Sequence, residues 1–154
     1  VRALALMDTN IAADTAAQRA RRQEIIAQAA QGQGKIALSD WPETMLSPAA
    51  TAEIRQDLRL RLAAIPEEGL KWAQEAMAGR ASYEAAVEKI SGPIYLIRGS
   101  DDPTCARAAL AAWGERSANA QLREVPAAGH FTALENPLAL AKILREFYAA
   151  ARAA

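Results

Sequence analysis

Apolar residues form short continuous runs near both ends of the chain and recur at helical spacing through its middle. Val1 to Met7 (VRALALM) is nearly unbroken, and its shortness suits a strand of a parallel sheet covered on both faces better than a half-exposed one. Ile94, Tyr95, Leu96 and Ile97 make a second β-favouring run, opened by Gly92 and Pro93 and closed by Gly99, and Gln121 to Val125 make a third. Between the first two runs the pattern changes period. Thr15 with Gln18 three residues on is a capping box, and it opens a helix that Gly32 and Gly34 close. Ser47 and Pro48 predict the cap and first turn of a helix whose Ile54, Leu58, Leu62 and Ile65 share one face. Pro66 stops that helix and opens another through Leu70, Trp72, Ala73, Ala76 and Met77, which Gly79 ends. Ser82 predicts the cap of a short helix reaching Ile90.

A helix from about Arg107 to Trp113 separates the second and third runs. A last helix starts at Asn136 and Pro137 and carries Leu140, Ile143, Leu144 and Phe147 on its apolar face. The order is therefore strand, helical block, strand, helix, strand, helix. Short apolar strands alternating with helices predict an α/β chain with a parallel sheet, and the long helical block reads as an excursion from it. This divides the chain into a core of residues 1–9 and 92–154 and an all-helical insertion of residues 10–91.

Composition narrows the classes of function. The 154 residues carry 18 basic and 18 acidic side chains, so no net charge draws the chain to phosphate, and no nucleic-acid partner is expected. Arg19, Arg21 and Arg22 are the densest basic group and read as a solvated helix face. Cys105 is the single cysteine, which leaves neither an internal disulfide nor a second thiol for zinc; no metal or cofactor is expected, and a reducing cytoplasm is the expected compartment. No run approaches the roughly 18 apolar residues of a membrane span, and the first residues lack the regions of a signal peptide.

Two stretches carry the chemistry. GPIYLIRGSDD, from Gly92 to Asp102, is a strand ending in Gly, two residues and Asp; VPAAGHFTALENP, from Val125 to Pro137, is a strand giving way to a Gly-His pair and then to a helix start. Together with VRALALMDT and the helical excursion behind it, these resemble the last strands of the α/β-hydrolase family, in the order acid then histidine. The resemblance implies the C-terminal part of an α/β-hydrolase fold: three parallel strands with flanking helices, plus an inserted helical lid at 10–91. It also implies that Gly99 permits the sharp turn lifting the carboxylate above the sheet edge, that Asp102 is the catalytic acid, and that His130, the only histidine in the chain, is the catalytic base. Asp101 is one residue off register, and Asp8, just after the first strand, is a rival for the acid. Trp41, Met45, Leu46 and Phe131 are expected to border a small hydrophobic acyl substrate, with Trp72 and Met77 as further lid residues; the plainer reading of such residues is core. Cys105 reads as a small buried residue rather than a nucleophile.

An imidazole suits the role of base because its pKa lies near neutrality, and a buried carboxylate fixes its tautomer and stabilises the imidazolium that forms. The nucleophile is missing from this pattern. None of Ser39, Ser47, Ser82, Ser91, Ser100 and Ser117 sits in a Gly-x-Ser-x-Gly elbow, and no oxyanion-hole loop is visible. The expectation is a carboxylesterase-like hydrolase whose nucleophile and oxyanion hole lie in an N-terminal half upstream of Val1. The partner would be a second polypeptide or segment holding the missing strands, or another copy paired through the first strand. An aspartate nucleophile would make it a dehalogenase, and the same fold also serves cofactor-free haloperoxidases and carbon-carbon bond hydrolases. The reading from another class is a truncated, non-catalytic relative acting as a binding module.

Overall fold

The run at residues 94–99 becomes the middle strand of a parallel sheet. The computed structural model describes residues 1–154. Its strands are β1 (Leu4–Met7), β2 (Ile94–Gly99) and β3 (Ala120–Val125), ordered β1-β2-β3 with both pairings parallel. Leu4 lies opposite Ile94 on one side of β2, and Ala120 lies opposite Ile94 on the other, so all three strands run toward the same edge. Every residue of β2 is buried. That is the burial expected of a continuous apolar run with helices on both faces.

The remaining elements are α1 (Ala16–Ala29), a 3-10 turn (Gly34–Leu38), α2 (Trp41–Thr44), α3 (Ala52–Ala64), α4 (Glu67–Ala78), α5 (Glu84–Val87), α6 (Arg107–Gly114), α7 (Thr132–Glu135) and α8 (Pro137–Ala153). They fall into two compact units. One holds residues 1–10, 45–51 and 84–154; the other holds 11–44 and 52–83.

In the first unit, Asn136 caps α8 by accepting the Ala139 N–H at 3.2 Å, with Pro137 leading the helix, as the sequence predicts. This start turns Leu140 and Ile143 onto Tyr95, Ile97, Val125 and Ala128, with Leu144 and Phe147 at the margin. Ile94 and Leu96 alternate to the other face of β2, and both are fully buried.

In the second unit, Thr15 accepts the Gln18 N–H at 3.2 Å while Gln18 accepts the Thr15 N–H at 2.8 Å, the reciprocal cap that starts α1. Ile25, Leu38 and Leu70 form this unit's core, with Trp41, Leu62 and Ile65 packed on it. The buried Asp14 collects the guanidinium groups of Arg22 and Arg80.

The structure departs from the sequence reading in several places. β1 begins at Leu4, not Val1, and is half-buried and ends in an exposed Met7, because only one of its edges is paired. Ser47 does not cap α3, which starts five residues later; its side chain is engaged elsewhere in the first unit. The short helix after Ser82 is one turn, Glu84–Val87. The helical unit is also smaller than residues 10–91, since 45–51 and 84–91 pack with the sheet. No helix is long and apolar enough to cross a membrane.

Candidate active site

Because β2 and β3 are parallel neighbours, the loops that leave them emerge side by side at one edge of the sheet, where such folds gather their functional groups. Backbone bonds join the two loops. The N–H of Ser100 donates to the Val125 carbonyl at 2.9 Å, and that of Asp101 donates to the Ala128 carbonyl at 2.9 Å. Gly99 makes this possible by having no side chain: a Cβ there would stand 2.0 Å from the Gly129 oxygen and 2.2 Å from that of Ala128. Gly99 therefore allows the close approach of the second loop and also opens the sharp turn expected there, which the Asp102 N–H closes by donating to the Gly99 carbonyl at 3.2 Å.

The approach brings two sequence-predicted residues together. Asp102 Oδ2 lies 3.0 Å from His130 Nδ1. The other oxygen, Oδ1, accepts the Thr104 N–H at 2.7 Å, the Thr104 hydroxyl at 2.8 Å and the Cys105 N–H at 3.1 Å. The Asp102 side chain has no exposed surface, whereas 26% of the His130 side chain remains exposed. Burial works against the carboxylate's charge, but the bonds from His130 and Thr104 outweigh it and hold the Asp102 pKa at about 2. Burial likewise disfavours the imidazolium, yet the Asp102 bond and the charges of Asp102, Asp8 and Glu135 prevail and raise His130 above 6.5.

These facts fix the tautomer. An ionised Asp102 only accepts, so Nδ1 must carry the proton it shares with Oδ2. The Thr104 hydroxyl spends its own proton on Oδ1 and turns a lone pair to Nδ1, at 2.8 Å. Nε2 is then the nitrogen with a free lone pair for taking a proton.

Other candidates fall into different places. Asp101 turns away and accepts the buried Ser47 hydroxyl at 2.6 Å. Asp8, at the end of β1 with a positive φ of 49°, accepts the Thr132 hydroxyl at 2.5 Å and the Thr132 N–H at 3.2 Å, while its Oδ1 is buried without a partner. Burial raises its pKa despite the Thr132 bonds. Cys105 is fully buried, and burial pushes its thiol up to about 11, the opposite of an activated nucleophile. Phe131 meets the His130 ring edge-on at 5.5 Å between centroids, and the Met45 carbonyl accepts the His130 N–H at 2.7 Å. Leu46 is buried, Trp41 packs on the helical unit's core, and Trp72 is 70% exposed.

Sequence reasoning missed the groups that brace the histidine. Glu135 Oε1 accepts the N–H groups of Gly129 (2.9 Å) and Phe131 (3.1 Å), one on each side of His130, and its Oε2 accepts the Ser47 N–H at 2.6 Å. Glu135 lies within the quoted histidine stretch, so its position was visible although its role was not. Thr104 had a local signal, since a carboxylate commonly binds the backbone two residues on.

Comparison of the sequence with family models and with curated proteins finds no match. Solved structures do match. A thermophilic esterase from Thermogutta terrifontis, solved with malate bound, superposes with a TM-score of 0.89 at 19% identity, over 97% of this chain and 56% of its own. The esterase EaEST from Exiguobacterium antarcticum gives 0.76 at 14% identity, over 96% of this chain and 57% of its own. MGS-M2, an α/β-hydrolase enzyme from a Medee basin deep-sea metagenome library, gives 0.71 at 14% identity, over 94% and 55%. The likeness is one of fold: this chain carries the C-terminal part of an α/β-hydrolase fold and spans little more than half the length of these neighbours.

Proposed function

We propose that the chain supplies the acid and base of a hydrolase acting on an ester or related acyl compound, with a serine nucleophile and oxyanion hole contributed from outside these 154 residues. The observation that carries this reading is the Asp102–His130 pair at the sheet edge, with Nδ1 engaged and Nε2 left to act. His130 Nε2 removes the proton of the serine hydroxyl as its oxygen attacks the acyl carbon. The same proton then passes to the leaving group as the acyl bond breaks, and Asp102 stabilises the imidazolium formed between these steps. Phe131, edge-on to the imidazole, and Met45, whose carbonyl accepts the His130 N–H, are the apolar residues beside the histidine.

The nucleophile is placed outside because no serine here stands in an elbow context and the matching folds are nearly twice as long. Its strands would pair with the free edge of β1, contributed by a preceding segment, a separate polypeptide or a second copy. The deciding experiment labels the complete protein with a fluorophosphonate probe. Covalent labelling that His130→Ala reduces by about 100-fold or more supports the proposal. No labelling of the unmodified protein would leave a non-catalytic binding module as the reading.

A further inference from the structure

Arg98 is a charged residue inside the most buried strand of the sheet, with 6% of its side chain exposed. Its donors are directed at the loop that carries the acid. Nε donates to the Cys105 carbonyl at 2.7 Å, Nη2 to the Asp102 carbonyl at 3.0 Å, and Nη1 to the Ser100 carbonyl at 3.2 Å. Nη1 also donates to Glu124 Oε1 at 2.6 Å, the residue opposite Arg98 in the β2–β3 register, and Arg107 shares that same carboxylate at 3.1 Å. A guanidinium can do this because its donors form a rigid planar fork, whereas an ammonium is a single point with rotating donors.

We propose that Arg98 is a positioning residue for the Asp102–His130 pair, its guanidinium fixing the acid-bearing loop by holding the carbonyls of residues 100, 102 and 105 at once. Residues 100–106 belong to no helix or strand, so their backbone has no ladder of its own to set the Asp102 carboxylate. Arg98 replaces that ladder from within the adjacent strand. The backbone bonds of Ser100 and Asp101 tie the loop's start to the histidine loop, and the Arg98 fork holds the stretch beyond them through Cys105. Glu124 balances the charge that burial would otherwise penalise.

The inference rests on reading Asp102 and His130 as the catalytic pair, but its test needs no turnover. Failure of fluorophosphonate labelling would remove that reading and leave the role of Arg98 on the pair's geometry intact. His130 is the only imidazole in the chain, so its ring signals in 15N-labelled protein are unambiguous. Arg98→Lys keeps the charge and loses the fork; the titration midpoint of His130 is expected to fall by about half a pH unit or more as the Asp102 contact loosens. Glu124→Gln keeps the fork and loses the ion pair, and is expected to move the midpoint by less than about 0.2. An unchanged midpoint in Arg98→Lys, or an equal fall in Glu124→Gln, overturns the proposal. Should Arg98→Lys not fold, the unmodified chain decides: the Arg98 Nε proton must exchange with water at least about 10-fold more slowly than that of the exposed Arg152, and equal rates overturn it.

Discussion

The hydroxyl of Thr104 lies 2.8 Å from Nδ1 of His130 while donating its proton to the neighbouring carboxylate, so it braces both partners of the pair. Thr104→Val removes the hydroxyl and keeps the shape. It is expected to cost about 1 kcal/mol of stability at pH 7 and to let the Asp102 pKa rise from about 2 toward 3.8. The sign of the pH effect follows: a carboxyl depressed in the fold adds stability above its unfolded value and loses it as pH falls through the folded value. In the unmodified chain this contribution of about 2 kcal/mol disappears between pH 4 and pH 2, and Thr104→Val shrinks it. Urea unfolding across that range measures both, with Thr104→Ser as the variant that retains the effect.

Gly129 marks the closest approach of residues 45–47 to the histidine loop. A Cβ at Gly129 would stand 2.3 Å from the Met45 carbonyl oxygen and 2.7 Å from the Ser47 nitrogen, both backbone atoms with little room to yield. Gly129→Ala is therefore expected to destabilise the fold by about 2 kcal/mol or more and to break the His130 N–H bond to Met45. Thermal unfolding and protection of the His130 amide against exchange check the two halves of the prediction.

The strand, the Gly-x-x-Asp spacing and the Asp102–His130 pairing follow from local pattern, because a parallel βα order sends neighbouring loops to one edge. The caps at Thr15 and Asn136 were legible for the same reason, being satisfied within three residues of themselves. Part of what was not legible depends on groups far apart in sequence. The turn at Gly99 was legible, but the carbonyls that exclude a side chain there belong to Ala128 and Gly129, 29 and 30 residues away. Ser47, with its following proline, carries a valid cap signal that tertiary partners override: Asp101 and Glu135 take its hydroxyl and its N–H. Trp41 packs on the helical unit's core while Trp72 is 70% exposed, a difference that apolar character and spacing alone did not show.

Asp8 is the carboxylate that the fold accommodates least well. Burial raises its pKa, its Oδ1 has no partner, and its φ lies where asparagine is readily tolerated. An acid raised in the fold is penalised as pH climbs past 3.8, and the penalty is complete above its folded value. Asp8→Asn keeps an oxygen for Thr132 and is expected to stabilise the chain at pH 7 by roughly 0.5 kcal/mol, with no gain at pH 3. Unfolding at the two pH values gives the answer; destabilisation at pH 7 would assign Asp8 a required charge instead.

The unpaired edge of β1 is expected to govern how these 154 residues behave in isolation. Leu4, Ala5 and Leu6 are half-buried and Met7 is exposed beside backbone groups that no strand meets. Such an edge recruits another strand. Sedimentation velocity over a concentration series is expected to show reversible association, and Leu6→Lys, which places a charge on that edge strand, is expected to suppress it by about 10-fold or more.

An ionised Asp102 holds the proton of His130 on Nδ1 and leaves the Nε2 lone pair free. 15N spectra of the single histidine across a pH titration, with and without Asp102→Asn, read this arrangement out. The expected result is the Nδ1–H tautomer and a midpoint raised above 6.5 in the unmodified chain, so that His130 stabilises the fold below its unfolded pKa and loses that effect as pH rises through the folded value. Asp102→Asn should lower the midpoint by about one pH unit or more. An Nε2–H tautomer, or a midpoint that Asp102→Asn leaves in place, would contradict it.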